Sequence, residues 1–114
     1  MAATAEPGAP SADDAKLVTL ARSARARNRA SEAAAVRDDI GRTYVASGID
    51  LPSLRLSAVQ AVVAAAVSSG SDRLEAVAVV TDSSELSDDD RAVLRDVSVS
   101  TVLLAGPDGT ARPL

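Results

Sequence analysis

The residues able to do chemistry are few, and carboxylates and hydroxyls dominate them. Asp88, Asp89 and Asp90 adjoin one another, with Asp82 and Glu85 just upstream, so the densest cluster of acids falls within nine residues. Such oxygens suit a hard cation such as Mg²⁺ or Ca²⁺. The same run also reads as a helix start, with Ser87 as cap and the aspartates complementing the helix dipole. The spacing favours the cap, because the glycine and distant glutamate of a calcium loop are missing. Ser57 and Ser87 are conceivable nucleophiles, yet the chain contains no His to activate them, and its one lysine, Lys16, lies far away in sequence. Gln60 is the one strongly polar side chain in an Ala/Val-rich stretch, suited to internal hydrogen bonding, an interface or a pocket. The 114 residues include no Cys, His, Phe or Trp, and one aromatic, Tyr44. Zinc sites of the usual kind, iron–sulfur clusters, disulfides and Ser-His-Asp or Cys-His arrangements are thereby excluded.

Charge narrows the partners. Twelve basic against sixteen acidic side chains leave a net charge of −4, which argues against bulk attraction to nucleic acid or to an anionic membrane. Base stacking would have Tyr44 alone as a platform. The uncharged run 56–71 is too short to span a bilayer, and Gln60 and its serines suit a buried helix better. Residues 1–10 lack the basic and apolar regions of a secretion signal, so the cytoplasm is the expected compartment. Residues 1–12 are expected to be a disordered lead and 13–114 a single domain.

These residues need elements to position them. A first helix should begin near Ser11 to Asp14, with Leu17, Leu20, Ala21 and Ala24 facing inward and Arg22, Arg25, Arg27 and Arg29 toward its end. The runs 33–38 and 42–48, separated by Asp39-Ile40-Gly41, predict a hairpin, although Ala33, Ala34 and Ala35 are poor strand formers. Residues 49–54 read as a connector broken by Pro52. Ser53 is placed to cap a helix over 54–69, ended by Gly70. That helix is apolar on nearly every side, which suggests contact with another subunit. Residues 74–80 are the best strand, continuously apolar and fit for burial on both faces. A polar loop, a third helix opened by Ser87 and carrying Ala92, Val93, Leu94 and Val97, and a strand over 101–105 follow. A Pro107-Asp108-Gly109 turn then leads into a short edge strand near 110–113. The order predicts a three-layer α/β/α sandwich, its mixed sheet combining an antiparallel first hairpin with parallel central strands joined by right-handed crossovers.

This order, with its local sequences, resembles the cytidine deaminase family over roughly 13–114. The likeness lies in Leu17-Val18-Thr19-Leu20-Ala21-Arg22-Ser23-Ala24-Arg25, in Gly41-Arg42-Thr43-Tyr44, in Ala64-Ala65-Ala66-Val67-Ser68-Ser69-Gly70 with the strand after it, and in Arg91-Ala92-Val93-Leu94, Val102-Leu103-Leu104-Ala105 and Asp108-Gly109. The resemblance implies a zinc held by Cys-Ala-Glu at the second helix's start and Pro-Cys-x-x-Cys at the third's, with the Glu shuttling protons. Counted onto this chain, the first motif falls on Ser57, Ala58 and Val59 and the second on Leu86, Ser87, Asp88, Asp89 and Asp90. Ser57, Ser87 and Asp90 thus replace the three thiolates, and Val59 replaces the Glu. Of the family's ribose-binding segment, the nearest stretch is Gly48-Ile49-Asp50-Leu51, where Asp50 keeps a comparable acceptor. The lost ligands and Glu therefore point to a catalytically inactive protein without metal or cofactor, and the 54–69 helix, apolar on nearly every side, to a homo-oligomeric interaction module, a dimer or tetramer. The alternatives are a nucleoside or small-molecule binder using a relic cleft at Tyr44, Asp50, Ser57, Gln60 and Ser87, and, remotely, an enzyme of another mechanism.

Overall fold

The computed structural model describes residues 10–114. The expected lead over 1–12 therefore lies mostly outside the described residues. At its edge, Ser11 already caps α1 (Ala12–Asn28), its hydroxyl accepting from the Asp14 N–H.

Two strands follow, β1 (Glu32–Asp38) and β2 (Thr43–Ser47), paired antiparallel with Val36 opposite Tyr44. A small ribbon, β3 (Ile49–Leu51) with β4 (Leu54–Leu56), precedes α2 (Ala58–Ser68). Then come β5 (Leu74–Thr81), α3 (Asp88–Asp96), β6 (Thr101–Ala105) and β7 (Ala111–Pro113). The main sheet runs in the order β2-β1-β5-β6-β7. β5 and β6 pair parallel, through α3, while β1 pairs antiparallel with both neighbours.

Helices cover both faces, which is the expected α/β/α sandwich. Leu17, Val18 and Ala21 of α1 pack on Ala35, Ala76, Ala78 and Val80. On the other face, α2 and α3 close over Ala34, Val36, Val77 and Val79. The alternation along β1 and β5 is the period of two that a strand imposes. The alanines that make β1 a weak strand by propensity earn their place by size. Ala34 and Ala35 are fully buried on opposite faces, and their small side chains let helices approach the sheet from both sides.

Three expectations need correction. The second helix begins at Ala58, not near 54, and its cap is Ser57 rather than Ser53. Residues 54–56 are instead strand β4, and the supposed connector 49–51 is its partner β3. Leu54 and Leu56 are apolar at a spacing of two, which a strand satisfies as well as the end of a helix does. On α1 the buried stripe is Leu17, Val18, Ala21 and Ala24, and Leu20 is 41% exposed, rotated out of the contact.

Candidate functional site

The starts of α2 and α3 converge beside the C-terminal end of β5, and their caps meet. Ser57 is extended (φ −66°, ψ 165°), which turns its side chain back over the first turn of α2. Its Oγ accepts from the Gln60 N–H (3.1 Å), while Gln60 Oε1 accepts from the Ser57 N–H (2.9 Å). This reciprocal capping box satisfies two donors that a helix start leaves open. The Ser57 hydroxyl proton is then free to go elsewhere, and it goes to Asp90 Oδ1 at 2.5 Å. Asp90, 6% exposed, stands in the first turn of α3, where its N–H donates to the Ser87 Oγ (3.1 Å). Val59 points into the core and is 1% exposed. A second acid joins from β1: Glu32 Oε1 accepts from the Ala58 N–H (3.0 Å), a carboxylate at the positive end of α2.

Next to this junction lies an open cleft of about 720 Å³, walled by Asn28, Glu32, Ser47, Asp50 and Leu56. Gly48 belongs to its floor. A Cβ there would stand 3.5 Å from the Leu56 carbonyl oxygen and 3.8 Å from the Ala58 nitrogen, so the backbone approaches α2 at van der Waals distance.

The far end of β1 holds a different cluster. Asp38 is fully buried and accepts from the backbone N–H of Ile40 (3.2 Å) and Arg42 (2.8 Å), from Arg42 Nε (2.8 Å) and from Ser71 Oγ (2.7 Å). Burial pushes its carboxyl upward in pKa. The hydrogen bonds from Ser71, the Arg42 side chain and the Arg42 and Ile40 amides outweigh burial and hold it at about 2. Tyr44 Oη lies 3.4 Å from Ser71 Oγ and belongs here. Six residue steps along β1, about 20 Å at strand rise, separate this cluster from Glu32.

The five residues expected to line one cleft are therefore distributed. Asp50 lines the cleft. Ser57 and Gln60 form the cap of α2. Ser87 caps α3, and Tyr44 stands at the opposite end of the sheet. Ser57, Ser87 and Asp90 do lie together, bound to one another in sequence (Ser57 to Asp90, Asp90 to Ser87). Two of the arginines of α1 are likewise tied to the fold: Arg22 Nε donates to the Pro107 carbonyl (2.9 Å), and Arg25 reaches the Ser31 carbonyl and Asp82. Sequence reasoning passed over Glu32 and the Asp38–Arg42–Ser71 cluster. The Ser-x-x-Gln pattern from Ser57 to Gln60 was a legible capping signal. Nothing in the sequence marks Glu32, whose partner is a backbone amide twenty-six positions away.

A family described as cytidine deaminase-like matches residues 10–109. The chain belongs to the cytidine deaminase-like family. Among solved structures, the cytidine deaminase of Burkholderia pseudomallei superposes with a TM-score of 0.77 at 19% identity, covering 87% of this chain and 89% of that one, a likeness of fold. The cytidine deaminase of Mycobacterium tuberculosis is 30% identical with a TM-score of 0.66, covering 86% of this chain and 85% of that one. That of Mycobacterium leprae is 23% identical with a TM-score of 0.65 over 86% and 90%. No curated protein matches the chain.

The zinc that this cytidine deaminase-like resemblance implies does not fit the residues at the helix starts. The positions counted for its ligands supply two hydroxyls and one carboxylate, where zinc favours thiolate and imidazole. The shortest contact among them is a hydrogen bond that already uses the Ser57 proton and an Asp90 oxygen. Among the described residues no group of three or more His, Cys, Asp or Glu is placed to share a metal ion. Among the same residues no helix is long and apolar enough to cross a membrane.

Proposed function

We propose that this cytidine deaminase-like protein is catalytically inactive and serves as a homo-oligomeric interaction module. The observation that carries the first half is the direct Ser57–Asp90 hydrogen bond, together with Val59 where the family's resemblance calls for a proton-moving Glu. A hydrocarbon side chain in the core can neither take nor give a proton. The second half is supported by α2. Its N-terminal half is buried, but Ala64, Ala65 and Val67 of its second half are exposed, Val67 by 49%. An uncovered apolar helix face on a small domain is the usual mark of association.

Sedimentation velocity, cytidine turnover with added zinc, and metal analysis test the two halves separately. The expected result is a dimer or tetramer at micromolar concentration, with no turnover and no bound zinc. A monodisperse monomer overturns the module, and cytidine turnover overturns the inactivity.

The cleft supports a second reading, a non-catalytic binder of nucleosides or similar small molecules. Its volume and its mixture of carboxylate, amide and hydroxyl groups suit a small polar ligand. A thermal-shift panel of nucleosides and nucleotides should then contain at least one stabilising ligand, and none at millimolar concentration removes this reading.

A further inference from the structure

We propose that the pocket between α3 and β6 binds a short aliphatic carboxylate, its tail against the hydrocarbon walls and its charge on Arg91 and Arg95. The pocket shares no residue with the cleft beside the helix starts, so the assignment stands apart from both readings above.

The walls define what can lie inside. Leu86 and Leu94 are buried beneath the pocket, Val99 and Val102 are partly covered, and Leu114 is half-exposed at its side. All five are aliphatic. Apart from the two arginines, no polar side chain joins them among the described residues. Such walls favour a hydrocarbon and give a sugar or a base no hydrogen bonds in exchange for its lost water. The volume is about 270 Å³. An aliphatic cavity of about 150 Å³ takes benzene, so this one suits roughly ten heavy atoms, the size of octanoate.

The charges decide what the hydrocarbon must carry. Arg91 and Arg95 are one helical turn apart on α3, so both stand on the flank that walls the pocket. Arg91 Nε donates to the Leu86 carbonyl (3.3 Å), which ties that guanidinium to the pocket wall and leaves its two Nη groups for a ligand. Neither arginine forms an ion pair among the described residues. The acids of α3 face elsewhere: Asp96 lines the groove toward α2, and Asp90 is bound to Ser57. The clefts beside α1, beside β2, at the β6–β7 turn and between α2 and α3 each include at least one carboxylate. Here both charges are basic, in a chain whose net charge is −4. A wholly basic rim over an apolar pocket selects an anion with a hydrocarbon tail. The planar fork of a guanidinium matches a carboxylate in particular.

The test titrates the full chain with butanoate, hexanoate, octanoate and octanol and follows amide shifts by NMR. Wild type is compared with Arg95→Gln, Arg91→Gln and Leu114→Asp, and thermal melts verify folding. Should Arg91→Gln unfold, the exposed Arg95 carries the test alone. Shifts should concentrate on Leu94, Val99 and Val102. The Kd should fall about fourfold per added methylene until the pocket is filled, as ~0.8 kcal/mol per buried CH₂ converts. Octanol should bind about tenfold more weakly than octanoate, for want of a charge-assisted hydrogen bond. Each glutamine variant should weaken octanoate about threefold or more and leave octanol unchanged. Leu114→Asp should weaken the acid and the alcohol alike. The assignment is overturned by equal binding of acid and alcohol, by a Kd indifferent to chain length, or by octanoate binding that the folded variants leave unaltered. Shifts scattered over the surface, or no shifts at millimolar octanoate, overturn it too.

Discussion

Replacing Ser57 by Ala removes one hydroxyl that performs two tasks. It caps α2 by accepting from the Gln60 N–H, and it donates to the Asp90 carboxylate of α3. Loss of a serine cap costs about 1 kcal/mol. Asp90 is 6% exposed, and Ser57 is the donor its side chain has among the described hydrogen bonds. Removing a partner from a buried charged acceptor costs about 1–3 kcal/mol. Together Ser57→Ala should lose about 2–4 kcal/mol, or roughly 8–16 °C in Tm at the ~4 °C per kcal/mol expected of a domain this size. The assay is urea unfolding followed by far-UV circular dichroism, with an unchanged denaturant slope. A double-mutant cycle with Asp90→Ala should give a coupling of about 1–2 kcal/mol, since the two side chains touch. Ser57→Thr, which keeps the hydroxyl, should retain most of the stability. A loss below about 0.5 kcal/mol in Ser57→Ala, or additivity with Asp90→Ala within that margin, refutes the reasoning, because residues without a shared interaction behave so.

Other outcomes follow from the same geometry. Asp38 has a folded pKa of about 2, below that of an unfolded Asp, so its contribution to stability is complete above about pH 4 and is lost as pH falls through 2. Acid titration of wild type and Asp38→Asn by circular dichroism should show that component in the wild type alone, and parallel curves would contradict it. Glu32→Ala removes a carboxylate from the positive end of α2 and should cost about 1 kcal/mol in the same urea assay. If the counted positions are those of the family's zinc site, the triple variant Ser57→Cys, Ser87→Cys, Asp90→Cys should bind one zinc per chain by metal analysis. It should show no cytidine turnover until Val59→Glu is added. Absence of zinc would place the counted motif elsewhere.

Much of this fold was legible because burial dictates composition. β5 and β6 are continuous apolar runs that only a doubly covered strand explains, and Ser11 and Ser87 precede acid-rich first turns. The second helix start was misplaced because Pro52-Ser53 imitates a start signal, whereas the cap that forms, Ser57, carries its confirming glutamine three residues later. Leu51 and Leu54 were unreadable for another reason. Their apolar character implies burial, yet within this chain about half of each side chain stays exposed. At the site, Ser57 and Asp90 stand at neighbouring helix starts joined by a hydrogen bond, but Tyr44 could not be excluded from the cleft without the register that sends it to the other end of β1. Glu32 acts through a backbone amide and so leaves no pattern of side-chain types to recognise, while Asp38 adds to the amides of Ile40 and Arg42 the side chains of Arg42 and of Ser71, the latter thirty-three positions away.

The hydrogen bond that joins α2 to α3 also sets what the folded protein depends on in a cell. A junction made of a hydroxyl and a carboxylate draws on no trace-element supply and offers chelators nothing to remove. With no cysteine in the chain and Met1 as its one methionine, oxidants find almost no sulfur to attack. On the metal-free reading proposed above, chelator or peroxide should leave its thermal melt unchanged, and a shift in Tm with either would contradict that reading.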